Sequence, residues 1–378
     1  MQKMVDLGEQ KVKTAGRVAA LQAKLRQENF DGLLVCYFAN RRYLSGYSAS
    51  DLLPHETSGF LLITSQEAFL ITSPLYEEQA QQEAPGFEVV TFGKGISFAK
   101  RIAELIVGRG LKRVGFEANA IIFDTYLGLV RALEDKAELV PCRGLVEAFR
   151  LIKEAEEIAT LRRAISINDQ VFNEIEPLIE PGVTEKQLAW EIERRMRDYQ
   201  GEALAFETIV AGGPNGAKPH ATPGERPFEP GEAVVIDMGT RYQGYNSDMT
   251  RTVCVGAPTP KFKEIYNIVL EAQLKTIEAI RPGLTGDEAD TIARDLITSY
   301  GYGEAFSHSL GHGIGLAVHE LPGLRKGNKE TLEPNMVHSI EPGIYLSGWG
   351  GVRIEDLVLV TTDGYELLSA ANKRGFWS

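Results

Sequence analysis

Two stretches decide the fold of this chain: VVIDMGTRYQGYNSDMTRTVCV at residues 234–255 and VHSIEPGIYLSGWGGVRIEDLVLV at residues 337–360. Each has the same order of parts: an apolar strand, an acid, a glycine-containing turn, a second acid and another apolar strand. Because apolar runs on both sides of a turn pair as an antiparallel hairpin, the echo predicts two similar hairpins. We interpret it as a duplicated α/β half that faces its twin across a pseudo-twofold axis, with a shared site at the centre.

The acids of each hairpin are predicted to form a cross-strand pair. A turn centred at residues 242–243 puts Asp237 opposite Asp248, and the glycine-rich turn of the second stretch puts Glu341 opposite Glu355. Opposite side chains in an antiparallel ladder have Cβ atoms about 4.5–5.5 Å apart. Two carboxylates at that distance repel each other, and a pair of divalent cations relieves the repulsion. Either pair alone is more typical of solvent-facing acids on a surface hairpin, but both pairs lie between apolar strands that are predicted to be buried.

Histidines cluster in glycine- and proline-rich loops beside the hairpins: His220, His308, His312 and His319. His312 lies between two glycines, which allow a tight bend that presents the imidazole. The spacing of His308 and His312 would suit a helical zinc pair, but the glycines argue against a helix there. Any one of these histidines alone is typical of a structural role, whereas the cluster favours roles in and around a binding site.

Two further side chains are candidates on the second hairpin. Arg353 precedes Glu355 by two residues, so it is predicted on the same face of the strand, where it could orient a ligand carboxylate. Tyr345 follows Glu341 across a Pro-Gly pair and could reach the same place, although the pattern fits a core or surface tyrosine equally well. His338 alternates away from Glu341 and is predicted on the opposite face.

The composition bounds the kind of protein. With 378 residues the chain exceeds one compact core, so two domains are predicted. A net charge of -12 argues against a nucleic-acid partner, because phosphate contacts need clustered lysine and arginine. The charged N-terminal segment lacks the apolar core of a signal peptide, and no apolar run reaches the roughly 20 residues of a membrane span. We therefore expect a cytoplasmic protein without a membrane partner.

The N-terminal part is predicted to be a separate α/β domain over residues 1–147. Short strands alternate with helical patterns there, and the apolar runs at 59–64 and 68–72 are predicted to form a hairpin. An unbroken helical pattern then starts near Glu147. Residues 148–378 are predicted to be an α+β domain that contains the two acidic hairpins.

These features resemble the pita-bread metallopeptidases, the family of methionine aminopeptidase, aminopeptidase P and prolidase. The matching motifs are NGAKPHA (215–221), DMG and SDMTRT (237–252), HSLGHGIGLAVHE (308–320), EPGIY (341–345) and GGVRIED (350–356). RRYLSGY at 41–47 looks like the extra N-terminal domain of the aminopeptidase P, prolidase and creatinase branch, which methionine aminopeptidases usually lack. The resemblance therefore implies a creatinase-type N-terminal domain and a pita-bread catalytic domain.

The same resemblance implies a site for two divalent metal ions that share a bridging water. Its ligands would be Asp237, Asp248, His312, Glu341 and Glu355, with Asp248 and Glu355 bridging. Manganese is the predicted metal, and the oxygen-rich set also allows Co, Zn, Fe(II) or Mg. The surrounding catalytic and substrate-binding positions of the family match His220, His308, His319, Tyr345 and Arg353. Glu341 is expected to move a proton to the leaving nitrogen, and His319 and His220 to stabilise the oxyanion.

The activity implied by the resemblance is hydrolysis of the N-terminal Xaa-Pro bond of peptides, as by an Xaa-Pro aminopeptidase acting as a homodimer. The alternative is an Xaa-Pro dipeptidase (prolidase), which needs a cation for the carboxylate of its dipeptide; Arg325 or Lys326 is a candidate. A more distant alternative is a non-catalytic peptide-binding protein on the same fold. Such relatives typically lose ligands, and this chain keeps all five.

Overall fold

The structure, a computed structural model, describes residues 7–51, 56–93, 95–373 and 375–376, with side chains from residue 12 onward. The contacts between residues divide the chain into two units, Met1–Phe149 and Arg150–Ser378. None of the helices within the described ranges combines the length and the apolar character that crossing a bilayer requires.

The N-terminal unit is built on one six-stranded sheet in the order β4-β3-β2-β1-β5-β6. Its strands are β1 (Gly32–Val35), β2 (Gly59–Thr64), β3 (Ala68–Thr72), β4 (Glu88–Thr91), β5 (Arg113–Glu117) and β6 (Glu138–Cys142). Its helices are α1 (Leu7–Gln27), α2 (Phe38–Ser45), α3 (Glu77–Glu83), α4 (Phe98–Gly108) and α5 (Phe123–Leu133). The predicted hairpin is confirmed, because β2 and β3 pair antiparallel. Almost every residue of these two strands is buried, which explains their continuous apolar runs.

The helical pattern that begins at Glu147 is not one helix, and the prediction of an unbroken helix is wrong there. Helix α6 (Glu147–Leu151) ends before Lys153, and α7 (Ala155–Ile175) begins after Glu154. The Glu154 side chain accepts a hydrogen bond from a backbone N–H in the first turn of α7, and the Glu157 carboxylate accepts one from the Glu154 backbone N–H at 2.9 Å. This capping box starts a new helix, while Lys153 turns inward and becomes buried.

The C-terminal unit contains four helices and four small sheets within the described residues. The helices are α7, α8 (Glu185–Asp198), α9 (Pro260–Ala279) and α10 (Gly286–Ser299). The strands of the first half are β7 (Ala203–Leu204), β8 (Ile209–Gly212), β9 (Ala233–Met238), β10 (Thr240–Tyr242), β11 (Tyr245–Asn246) and β12 (Met249–Cys254). Those of the second are β13 (Gly311–Gly313), β14 (Glu320–Leu324), β15 (Val337–Ile340), β16 (Gly343–Leu346), β17 (Gly350–Arg353), β18 (Asp356–Val360) and β19 (Tyr365–Leu367).

The C-terminal unit has two halves with the same plan. One apolar core joins α7 and α8 to the sheet β12-β9-β8, and another joins α9 and α10 to strands of the second half, including β15 and β18. The second helix of each half begins with a threonine capping box after a Pro-Gly turn, at Thr184 and at Thr285. Each threonine also forms an isolated β-bridge, to Pro227 and to Thr331. These matching positions are the structural form of the duplication that the hairpin echo predicts.

Candidate functional site

The first hairpin carries its two acids on one face, in a register that differs from the predicted one. Asp237 lies opposite Thr250, and Asp248 comes two residues before Thr250, directly before β12 begins. The turn is formed by Gln243 and Gly244, which both have positive φ, of 48° and 84°. Because a two-residue hairpin turn requires this backbone, the turn centre moves by one residue from the predicted 242–243. The partner changes by two residues, so both carboxylates still face the same side.

The second hairpin has the predicted register. Gly343 pairs with Arg353 in the ladder of β16 and β17, and Ile340 pairs with Asp356 in the ladder of β15 and β18. The two ladders share one continuous register. Glu341 and Glu355 therefore lie opposite each other at the junction between the ladders. The predicted cross-strand pair is confirmed here.

His312 lies on the central one of three neighbouring strands. Strand β13 lies between β14 and β15, and a Cβ at Gly311 or at Gly313 would collide with a neighbouring backbone carbonyl. The imidazole Nδ1 lies 3.1 Å from the carbonyl oxygen of Gly313, which can only accept a hydrogen bond. When the ring is neutral, its proton is therefore on Nδ1 and the Nε2 lone pair faces the acids. Nε2 is 3.2 Å from Glu341 and 3.7 Å from Asp248.

The five predicted metal ligands converge on one place. Donor atoms of Asp248, His312 and Glu355 lie within 4.8 Å of one another, and Glu341 contacts His312. Asp237 lies close enough for its charge to raise the pKa of both Asp248 and Glu355, after the larger effect of burial. One carboxylate oxygen on each of Asp237, Asp248 and Glu355 is buried without a hydrogen-bond partner among the described residues. Such unpartnered oxygens, with one imidazole nitrogen, suit divalent cations that prefer oxygen ligands, so the residues fit a metal pair.

The charges at this place do not balance among protein groups alone. Burial, followed by the neighbouring carboxylates, holds the pKa of Asp248 and of Glu355 well above the usual range. Burial opposes ionisation of Glu341 and of the His312 ring as well, but their hydrogen bond prevails. It lowers the pKa of Glu341 to about 2 and raises the pKa of His312 to about 9. Bound cations would remove the repulsion that keeps protons on the other acids.

Arg353 links the acids to Tyr345 and His308. Its guanidinium donates to Asp237 at 2.7 Å, to the Tyr345 hydroxyl at 2.7 Å and to Thr250 at 3.0 Å. The His308 Nδ1 lies 2.7 Å from a backbone carbonyl, so Nδ1 carries the proton and Nε2 accepts from Tyr345 at 2.9 Å. Burial lowers the pKa of His308, which agrees with this neutral ring. Tyr345 therefore reaches the site, which the sequence pattern left open.

His220 and His319 lie at the exposed side of the site. The rings of His312 and His319 are 4.3 Å apart, edge to face. Burial lowers the pKa of His308 and of His319, and the nearby His220 lowers both pKa values further. All the predicted site residues are thus brought together, while His338 is fully buried in β15 beside them.

Several supporting residues have no motif of their own in the sequence. Ser339 accepts from the His312 backbone and donates to Glu341 at 3.0 Å, and Thr250 donates to Glu355 at 2.8 Å. Period-two alternation from Glu341 and from Asp248 could have found both. Glu320 is different, because its partners Arg150 and Lys153 are more than 160 positions away in the sequence.

The loop that carries His220 is held by Glu185. The buried Glu185 carboxylate accepts hydrogen bonds from the backbone N–H groups of Gly212 and Gly224, each at 2.7 Å. It also accepts from the Asn215 side chain at 2.9 Å. One side chain therefore fastens both ends of the loop, and nothing in the local sequence of Glu185 signals it.

The chain matches two family models: Metallopeptidase family M24 over residues 159–362 and the Creatinase/Prolidase N-terminal domain over residues 17–152. It is 39% identical to an Xaa-Pro dipeptidase of Pyrococcus horikoshii over 92% of this chain and 95% of that protein. A solved structure described as an Xaa-Pro dipeptidase from Bacillus anthracis matches with a TM-score of 0.89 and 40% identity, covering 96% of this chain and 99% of that one. An X-Pro aminopeptidase from Thermotoga maritima matches with a TM-score of 0.86 and 34% identity, covering 95% and 99%. The predicted combination of a creatinase-type α/β domain and a pita-bread α+β domain is confirmed.

Proposed function

The chain belongs to metallopeptidase family M24, and on that premise we propose that it is an Xaa-Pro dipeptidase, which hydrolyses the bond before proline in a dipeptide. The observation that carries the proposal is the convergence of four carboxylates and His312, with three buried oxygens left without partners. The sequence favoured an Xaa-Pro aminopeptidase instead. The names of several relatives support the dipeptidase alternative better.

We assign the metal ligands as Asp237, Asp248, His312, Glu341 and Glu355. When bound, two divalent cations lower the pKa of a water and polarise the peptide carbonyl. Manganese is the proposed metal, because the ligand set is rich in oxygen and contains one nitrogen.

The remaining steps belong to side chains of the chain itself. Glu341 accepts a proton and passes it to the departing proline nitrogen. His319 and His220 lie on the exposed side and stabilise the oxyanion by donating hydrogen bonds. Arg353 holds Asp237 and the Tyr345 hydroxyl in place. Proline is accepted because its nitrogen has no N–H that would need a partner.

Arg325 supports the preference for a dipeptide. Gly323 pairs directly with His312, and the Arg325 side chain passes beside it, since a Cβ at Gly323 would lie 3.6 Å from the Arg325 Nε. Arg325 is exposed, and no carboxylate in the described part of the chain pairs with it. It is therefore available to bind the carboxylate that ends a dipeptide.

Turnover of one Xaa-Pro dipeptide and of the matching Xaa-Pro-Xaa tripeptide tests the proposal. We expect a higher kcat/KM for the dipeptide. Arg325→Met should raise the dipeptide KM about 10–100-fold, because a hydrogen bond to a charged group contributes about 1.5–3 kcal/mol. The tripeptide KM should change little. Lys326→Met is the matched control, and preferential cleavage of the tripeptide would establish the aminopeptidase instead.

A further inference from the structure

A buried charged cluster lies behind the strand that carries Glu355. The next residue, Asp356, turns to the opposite side of that strand and is fully buried. Its carboxylate accepts from Arg251 at 2.7 Å, from Gln273 at 2.8 Å and from Lys373. We call Arg251, Asp356 and Lys373 the rear cluster.

Arg251 connects the rear cluster to the backbone of Glu355. Arg251 follows Thr250 on β12 just as Asp356 follows Glu355. The two segments therefore contact each other on both faces, the side of the site and the rear side. On the site side, Thr250 donates to the Glu355 carboxylate, and the Glu355 N–H donates to the Thr250 carbonyl at 3.1 Å. On the rear side, the Arg251 guanidinium donates to the Glu355 carbonyl at 2.5 Å and to the Thr250 carbonyl at 2.9 Å. The position of the Glu355 main chain is thus fixed from both sides.

The third member, Lys373, comes from the C-terminal segment. Its ammonium group donates to Gln273 at 2.7 Å as well as to Asp356. Two residues earlier, the Ala371 carbonyl accepts from Arg251 at 2.7 Å, and the Ala371 N–H donates to Asp169 at 2.8 Å. Residues 370–373 therefore close the cluster, which carries two positive charges and one negative charge beside the acids of the site.

We propose that the rear cluster is a positioning device for Glu355, and that the C-terminal segment thereby helps to set the metal affinity of the site. The inference rests on the proposed assignment of Glu355 as a ligand. Partners of ligating residues typically contribute about 10–100-fold to metal affinity. Arg251 is suited to this role because its planar fork reaches the Glu355 carbonyl, the Ala371 carbonyl and Asp356 together.

The test is the dissociation constant of Mn²⁺ for the metal-free full chain, measured by isothermal titration calorimetry. Lys373→Met should weaken binding about 10–100-fold. At saturating metal its dipeptide KM should equal that of the wild type, because no substrate-contacting residue has changed. Arg251→Lys keeps the charge but loses the fork, and it should weaken binding to a similar extent.

Lys275→Met is the matched control, because Lys275 forms an exposed ion pair with Glu271 on the same helix as Gln273. It should bind Mn²⁺ as the wild type does. Circular dichroism verifies that each variant is folded. If Lys373→Met does not fold, the affinity of Arg251→Lys provides the test. Folded variants with wild-type affinity would overturn the inference. A wild-type chain that binds no Mn²⁺ would instead refute the proposed function.

Discussion

At the residue scale, His312 couples metal binding to proton release. The hydrogen bond and charge of Glu341 outweigh burial and raise the pKa of His312 to about 9, so the ring holds a proton at neutral pH. A cation must displace that proton to reach Nε2. Apparent metal affinity should therefore rise about tenfold per pH unit from His312 alone between pH 7 and 9, and flatten above pH 9. The raised pKa values of Asp248 and Glu355 add to the release in the same direction.

Calorimetry in buffers with different ionisation enthalpies measures the protons released per bound ion. We expect at least one proton for each pair of ions at pH 7. Binding without proton release, or affinity that is flat from pH 7 to 9, would contradict this account of His312.

The sequence predicted the ligand candidates better than the residues that hold them. Asp237, Asp248 and His312 are recognisable because each lies next to apolar strands or glycines that restrict its surroundings. Glu185 and Glu320 act through buried contacts with distant segments, and no local pattern encodes such contacts. The exact partner of Asp237 was also missed, because the positive φ of Gln243 is decided by the fit of the turn to the strand twist.

At the element scale, strand β13 tolerates only glycine beside His312. A Cβ at Gly313 would overlap the backbone carbonyl of Leu321, which belongs to a neighbouring strand and cannot move aside alone. Gly313→Ala should therefore destabilise the fold by about 3 kcal/mol or more and weaken metal binding, because β13 must shift with its imidazole. Urea unfolding and Mn²⁺ titration measure the two effects.

Gly364→Ala provides the comparison for Gly313→Ala, since a Cβ at Gly364 meets nothing within 4 Å. Its unfolding free energy should stay within about 0.5 kcal/mol of the wild type. Equal stability of the two variants would contradict the predicted clash of a Cβ at Gly313 with the Leu321 carbonyl.

Elements with strong local signals were predicted well, and the exception has a physical cause. Strands β2 and β3 consist mainly of apolar residues, and their bounds in the structure are those that the sequence predicts. The break between α6 and α7 was missed because the charges around Glu154 fit a continuous helix. It is the attraction of Lys153 to the distant Glu320 that competes with helix continuation there.

At the scale of the whole molecule, metal should stabilise the folded chain. Four carboxylates share one buried place with His312 and Arg353, so the folded state without cations bears their repulsion. A ligand that binds only the folded state at one hundred times its dissociation constant adds about 2.7 kcal/mol per site. Urea unfolding with Mn²⁺ and with a chelator measures the difference. Asp248→Ala should show none, and an equal response of the two proteins would refute the ligand assignment.

The second hairpin also limits how the chain can change in length. Its two ladders keep one register across the junction at Glu341 and Glu355, while the loop at 347–349 only connects them. Insertions or deletions in that loop leave the register intact. One residue added or removed between Ile340 and Gly343, or between Arg353 and Asp356, would turn an acid away from its partner. We therefore expect this hairpin to tolerate changes in length at its tip but not on either side of its two acids.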